Sequence, residues 1–231
     1  MIETSDFLTA DECTQIATTV DRLRAFWEKT SPYGRSFVLG AASYIHAIGG
    51  AGPPYHDRAR RLGPIMCEQL GWMYARLTTS LAKVLRAPVV LADGLAPPGF
   101  HLFIWEPAIA QLRCSVHCDL QFEAHDFTRY GTPDLEHPLS FTVAIRVPAA
   151  GAGLNVWDVT REDPRSARKA GGVRELESLP PRHVGYRLGE LTMHSGLRFH
   201  QIGPMAMTPG ESRVTLQGHA IRCGDTWQTY W

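Results

Sequence analysis

The stretch Arg113-Cys114-Ser115-Val116-His117-Cys118-Asp119-Leu120 reads as a β-strand with two polar side chains on one face. Successive strand side chains alternate, so His117 and Asp119 aim an imidazole and a carboxylate to one side, with Val116 and Cys118 on the other. One more imidazole from elsewhere completes two histidines and one carboxylate. Such a facial set leaves coordination positions open and suits non-haem Fe(II). His-x-Asp alone is weak in a chain with 10 histidines. Zinc is the competing reading, because Cys114, His117 and Cys118 crowd together, but no second cysteine pair sits at zinc-site spacing.

Working outward, Phe100-His101-Leu102-Phe103-Ile104-Trp105 has strand character, with His101, Phe103 and Trp105 on one face. That face either looks into a barrel, where His101 and Trp105 would touch ligand, or packs in its core. Further strands are predicted at 139–147, 153–157, 183–188, 190–194 and 214–222. In the second of these, Asn155 and Trp157 share a face and are candidate substrate contacts. Strands this dense, broken by Gly and Pro, point to a β-sandwich or barrel rather than βαβ units.

The first 88 residues read differently. Thr9-Ala10-Asp11-Glu12 is a capping box, and Ile16, Val20, Leu23 and Phe26 follow at helical spacing, predicting a helix over 10–28. Residues 31–63, rich in Gly and Pro, read as mixed loop and short strand. A second helix is expected to start at Pro64, with a stripe of Met66, Leu70, Met73, Leu77, Leu81 and Val84 ending before Pro88. The segments 121–138 and 158–181 are polar and irregular. The second reads as a solvated loop, and the first, directly behind the metal motif, is the expected lid. The whole is one domain over 1–231: mainly helical N-terminal support over 1–88, then a β-rich core over 89–231.

Lys+Arg and Asp+Glu both number 23, giving a formal charge of zero, which argues against nucleic acid as a partner. Hydrophobic residues make up 44% and charged residues 20%, enough apolar material for a packed core. No run of about 18 apolar residues suggests a membrane span. The opening residues Met1–Asp6 carry no apolar signal-peptide core, and five scattered cysteines suit reduced thiols, so a cytoplasmic location is expected.

The downstream half supplies the missing imidazole. Gly189-Glu190-Leu191 opens a strand, His200 stands in Phe199-His200-Gln201-Ile202, and Arg213-Val214-Thr215 heads another strand. Arg213 and Thr215 share a face, and a guanidinium fork beside a hydroxyl is a receptor for a carboxylate. His194 and His219 are rival imidazoles. His194 leaves nineteen residues to Arg213, and it either lines the cavity or has a structural, hydrogen-bonded role.

This ensemble resembles the Fe(II)- and 2-oxoglutarate-dependent dioxygenase superfamily, most of all its prolyl-hydroxylase-like branch, over residues 100–222. Its members show His-x-Asp, a Gly-Asp-Leu-like strand, a second His, and an Arg followed two positions later by Ser or Thr. Here Glu190 replaces the usual Asp. The resemblance implies a double-stranded β-helix, or jelly roll, with His117, Asp119 and His200 holding Fe(II). Arg213 and Thr215 would bind the distal carboxylate of 2-oxoglutarate, with O2 as oxidant and ascorbate supportive. The implied activity is hydroxylation of a small molecule, amino acid or peptide, with release of succinate. In the related halogenases a small residue stands where Asp119 does, so a carboxylate there implies oxygen rather than chlorine transfer. The alternatives are a cupin-like metal enzyme that does not use 2-oxoglutarate, and a non-catalytic binding or sensor module on the same barrel.

Overall fold

The computed structural model describes residues 2–30, 34–48, 54–107, 114–161, 176 and 179–231. Twelve strands and three α-helices, α1 (Ala10–Arg22), α2 (Ser43–His46) and α3 (Tyr55–Leu85), are assigned among them. The strands are β1 (Ile2–Asp6), β2 (Glu28–Lys29), β3 (Ser36–Leu39), β4 (Val89–Leu91), β5 (Gly99–Ile104) and β6 (Pro133–Arg146). They continue with β7 (Gly153–Thr160), β8 (Arg182–Gly185), β9 (Glu190–Ser195), β10 (Arg198–Ile202), β11 (Ser212–Cys223) and β12 (Thr226–Tyr230).

Two sheets form. The larger runs β1-β9-β6-β11-β5-β3-β2, with β12 pairing β11 and β4, and the smaller runs β10-β7-β8. All pairings are antiparallel except β4 with β12. The turn between β9 and β10 passes the chain from one sheet to the other. The architecture is mainly β, a jelly roll of the double-stranded β-helix kind, with helices packed on the larger sheet.

Alternation along the strands decides which chemistry faces where. On β11, Val214 and Leu216 join Phe100 and Leu102 of β5, Phe141 and Val143 of β6, and Leu191 and Met193 of β9 in one apolar layer. Helices α1 (Ala10–Arg22) and α3 (Tyr55–Leu85) cover that layer with Ile16, Val20, Met66, Leu70, Met73 and Leu77. The opposite face of the same strands carries Arg213, Thr215, Gln217 and His219, with His101, Ser140, Thr142, Thr192 and His194. A hydrophobic layer outside thus fixes a polar face inside, because the strand period is two.

Several boundaries differ from expectation. Helix α1 ends at Arg22 and gives way to a 3-10 turn over Leu23–Phe26. Its capping box is formed: the Thr9 hydroxyl accepts from the Glu12 N–H at 3.3 Å, and the Glu12 carboxylate accepts from the Thr9 N–H at 2.9 Å. Helix α3 begins at Tyr55 rather than Pro64, because Arg58, Ala59 and Leu62 already extend its buried stripe. Pro64 therefore lies inside the helix, which bends at Leu70 (φ −129, ψ 15). The first 88 residues are not only helical support, since β1 pairs β9 and β3 pairs β5.

Residues 114–120 form no regular strand; His117 makes one isolated antiparallel bridge to His200. The expected lid at 121–138 is packed instead: Phe122 and Phe127 are buried against Ile221, Cys223 and Tyr230, and its last residues belong to β6. Segment 158–181 begins as the end of β7, and its residues 162–175 and 177–178 lie outside those described. None of the five cysteines is in a disulfide. Among the described residues, no helix is long and apolar enough to cross a membrane.

Candidate metal centre and cavity

His117, Asp119 and His200 come together with their ligand atoms all within 4.8 Å of one another. His117 Nε2 is 3.8 Å from Asp119 Oδ1, and His200 Nε2 is 3.4 Å from Asp119 Oδ2. The pairing comes from backbone rather than from a strand through 113–120. His117 and His200 exchange two N–H···O bonds of 2.9 Å, which sets their ring centroids 4.4 Å apart with the planes tilted by 58°. The Asp119 N–H donates to Gly196 O at 2.7 Å, in the β9–β10 turn, so the carboxylate is presented beside both imidazoles.

Backbone carbonyls also assign the tautomers. His117 Nδ1 lies 2.9 Å from Ser115 O, and His200 Nδ1 lies 2.9 Å from Arg198 O. A carbonyl only accepts, so each Nδ1 carries the hydrogen and each Nε2 keeps its lone pair toward Asp119. Such outer hydrogen bonds are the usual way a metal-binding imidazole is oriented. Burial pushes the His200 imidazole down to about 3, against the opposing pull of Asp119, so it is neutral near pH 7. Burial opposes the charge on Asp119, but His200, His219, His117 and His194 together outweigh it and hold its carboxyl below the usual carboxylate range. Two nitrogen lone pairs and a carboxylate thus converge, a donor set that fits a divalent first-row metal.

A cavity of about 660 Å³ opens in front of this group, between the two sheets. Tyr44, Phe103, Leu154, Ile202 and Trp231 supply much of its apolar wall. His101 and His194 line it as expected, and His219 does so too. His101 Nε2 is hydrogen-bonded to the Tyr44 hydroxyl, and burial pushes its imidazole down to about 3. His194 ties Nδ1 to Ser195 O at 2.9 Å, and its ring is 4.6 Å from that of His200. His219 Nδ1 stands 4.0 Å from Asp119 Oδ2 and 3.1 Å from Ser140 Oγ.

Three candidate contacts lie elsewhere. Trp105 follows the end of β5 and packs on Phe103, Met205 and Met207. Trp157 is buried with Val116, Val159 and Leu176, its indole N–H donating to Leu179 O at 3.0 Å. Asn155 is spent on His183, 2.9 Å away, and faces Gln201. On the small sheet the register turns Leu154 inward, so Asn155 and Trp157 fall on the opposite face. Cys118 turns its thiol to Leu197 O at 3.2 Å, away from the imidazoles, which leaves the zinc reading without a thiolate.

Arg213 and Thr215 share the inner face of β11, as expected, and each is 1% exposed. Arg213 Nε and Nη1 and Thr215 Oγ1 have no hydrogen-bond partner, and among the described residues no carboxylate pairs the guanidinium. The guanidinium carbon lies 5.3 Å from the Tyr186 ring and 5.8 Å from the Phe103 ring. Phe103 lines the cavity, whereas Arg213 and Thr215 do not. Sequence reasoning missed Tyr44, Gln121 and the role of His219 in this environment. For His219 a signal existed, since it is six residues from Arg213 and so shares its strand face.

No family model matches the chain, and the comparison with curated proteins returns no match. Among solved structures, the chain is similar to the non-heme alpha-ketoglutarate-dependent epimerase SnoN of nogalamycin biosynthesis, at 16% identity and TM-score 0.49 over 96% of this chain and 80% of that one. It is similar to HygX from Streptomyces hygroscopicus, solved with nickel and 2-oxoglutarate bound, at 14% identity and TM-score 0.48 over 94% and 81%. It is also similar to a Pseudomonas putida prolyl-4-hydroxylase, at 14% identity and TM-score 0.43 over 96% and 92%.

Proposed function

We propose that this chain is an Fe(II)- and 2-oxoglutarate-dependent oxygenase that hydroxylates a C–H bond of a small molecule. One observation carries the co-substrate: Arg213 is fully buried, touches Tyr186, leaves Nε and Nη1 without a hydrogen-bond partner and has no carboxylate partner among the described residues, on the same sheet face as the cavity that holds His117, Asp119 and His200. A buried cation without an anionic partner costs several kcal/mol, and a bound carboxylate would offset that cost. Thr215 Oγ1, two residues on and also without a partner, completes a receptor for one carboxylate.

His117, Asp119 and His200 would hold the iron, with Nδ1 of each imidazole locked to a carbonyl so that only Nε2 is offered. When bound, iron and 2-oxoglutarate supply a two-electron oxidation by O2, in which the co-substrate loses CO2 to become succinate and one oxygen atom enters the substrate. Asp119 occupies its position with a carboxylate, which disfavours halide at the metal. Phe103 lines the cavity and is the cross-strand neighbour of Arg213, its ring 5.8 Å from the guanidinium carbon, so it would flank the co-substrate's distal carboxylate. The apolar wall of Tyr44, Leu154, Ile202 and Trp231 excludes water from the reacting face and accepts a compact, partly apolar substrate.

The test is succinate release by purified chain supplied with Fe(II), ascorbate and 2-oxoglutarate, across a pool of small metabolites. Succinate that depends on His200 and Arg213 supports the reading. Its absence under every condition, with iron content indifferent to His200→Ala, overturns it. Succinate formation that is unaffected by Arg213→Met would overturn the co-substrate assignment alone.

A further inference from the structure

Gln121 touches the Asp119 carboxylate, lines the cavity, and keeps a side-chain oxygen that has no partner among the described residues. It is 7% exposed and lines the cavity at the start of the 3-10 turn Gln121–Ala124. Its Nε2 lies 3.2 Å from Asp119 Oδ1. Its Oε1 is buried and has no hydrogen-bond partner.

The two ends of this amide are not interchangeable. An ionised carboxylate only accepts hydrogen bonds, so the –NH₂ end must face Asp119 and the carbonyl end must face away. Turning the amide over would set two oxygens against each other and still leave a buried atom unpaired. The side chain is also held from behind: Phe122, next in the chain, is buried against Ile221 and Tyr230, and the Glu123 N–H donates to Leu120 O at 3.0 Å. An unmet buried acceptor is costly, and the deficit ends when a donor enters.

We propose that Gln121 positions the Asp119 carboxylate through its amide N–H and offers its carbonyl as hydrogen-bond acceptor to the substrate, which therefore carries an O–H or N–H donor. The positioning half rests on the iron reading given above. The acceptor half rests on the cavity alone and is tested without metal.

For the acceptor, 19F NMR compares binding of 4-fluorophenol and 4-fluoroanisole to metal-free protein, two probes of similar shape that differ in the donor. Wild type is expected to favour the phenol by roughly fivefold or more, the worth of one hydrogen bond. Gln121→Met removes the acceptor and brings the ratio to one. Gln121→Glu keeps an acceptor oxygen and keeps the preference, which a merely structural role would not produce. A ratio of one in wild type, or one unchanged in Gln121→Met, overturns this half.

For positioning, Co(II) is titrated into wild type and Gln121→Met, and affinity and the visible d–d bands are read. Loss of an outer-shell partner is expected to weaken Co(II) by roughly 10–100-fold and to alter the bands, at unchanged far-UV circular dichroism. Equal affinity and bands in the two proteins overturn the positioning role while leaving the metal site standing. Failure of wild type to bind Co(II) overturns the metal reading itself.

Discussion

His117 and His200 are a directly opposed backbone pair: each donates its N–H to the other's carbonyl at 2.9 Å, and their rings lie 4.4 Å apart. Residues 83 positions apart in sequence are thus fixed by two main-chain bonds, before any ion contributes. Asp119 enters the same group through its own main-chain bond to Gly196. Because main chain aligns the three, the group should persist without metal, and removing one side chain should not unfold the protein.

Replacing His200 or Asp119 by Ala should lower Fe(II) affinity by about 100-fold or more, with little change in the urea midpoint. The backbone bonds at His117, Asp119 and Gly196 do not need those side chains. Titration calorimetry under anaerobic conditions, alongside urea unfolding, checks both halves. Loss of metal accompanied by unfolding would contradict the main-chain account.

Arg213→Met should make the resting protein more stable and less able to bind 2-oxoglutarate. Removing an uncompensated buried cation in favour of an apolar side chain of similar length is expected to stabilise by about 1–4 kcal/mol. Wild type should gain about 2.7 kcal/mol from 2-oxoglutarate at a hundred times its Kd, and the variant nothing. Thermal unfolding with and without 2-oxoglutarate reads both effects at once.

Acid should destabilise the fold between about pH 6.5 and 3. Burial lowers His101 to about 3 and His125 to about 4, so both are neutral when folded while the unfolded chain binds protons below about pH 6.5. Where the unfolded state holds more protons, stability falls as pH falls, here by about 1.4 kcal/mol per pH unit for buried His101 and by less for half-buried His125. His101→Phe should flatten that slope, measured as unfolding free energy at pH 7, 6, 5 and 4. An unchanged slope would mean that His101 is protonated in the folded state.

Gly99→Ala should disturb the cavity wall from the far side. A Cβ there would stand 2.0 Å from the Trp231 ring and 2.8 Å from Leu39 O, so the indole has to move. Trp231 is 1% exposed and lines the cavity, and overpacking of this kind costs typically about 1–3 kcal/mol. A lower urea midpoint with altered near-ultraviolet circular dichroism is the expected result.

His117, Asp119 and His200 lie together, but not for the reason that strand alternation supplies. Residues 114–120 make a single bridge, not a strand, and the shared direction of the two side chains comes from separate bonds to His200 and Gly196. For Arg213 and Thr215 the strand argument was sound, since β11 is continuous there. At Asn155 and Trp157 the same argument chose the wrong face, because nothing local marks which side of a twelve-strand body is inside. Helix α3 was longer than its Pro64 suggested, since a buried stripe from Arg58 onward outweighs the hydrogen bond that proline removes.

The amino-acid sequence by itself determined the class of fold and the donor set, because strand alternation, helical stripes and the identity of His, Asp and Arg are local properties of the chain. Only the tertiary structure decided what those donors meet. Gln121 at Asp119, Tyr44 at His101, and Phe103 over Arg213 are contacts between segments that loop closure and packing bring together. The reason is physical: a side chain's direction follows from its own backbone, but its neighbours follow from how the apolar layer of the larger sheet is buried under α1 and α3.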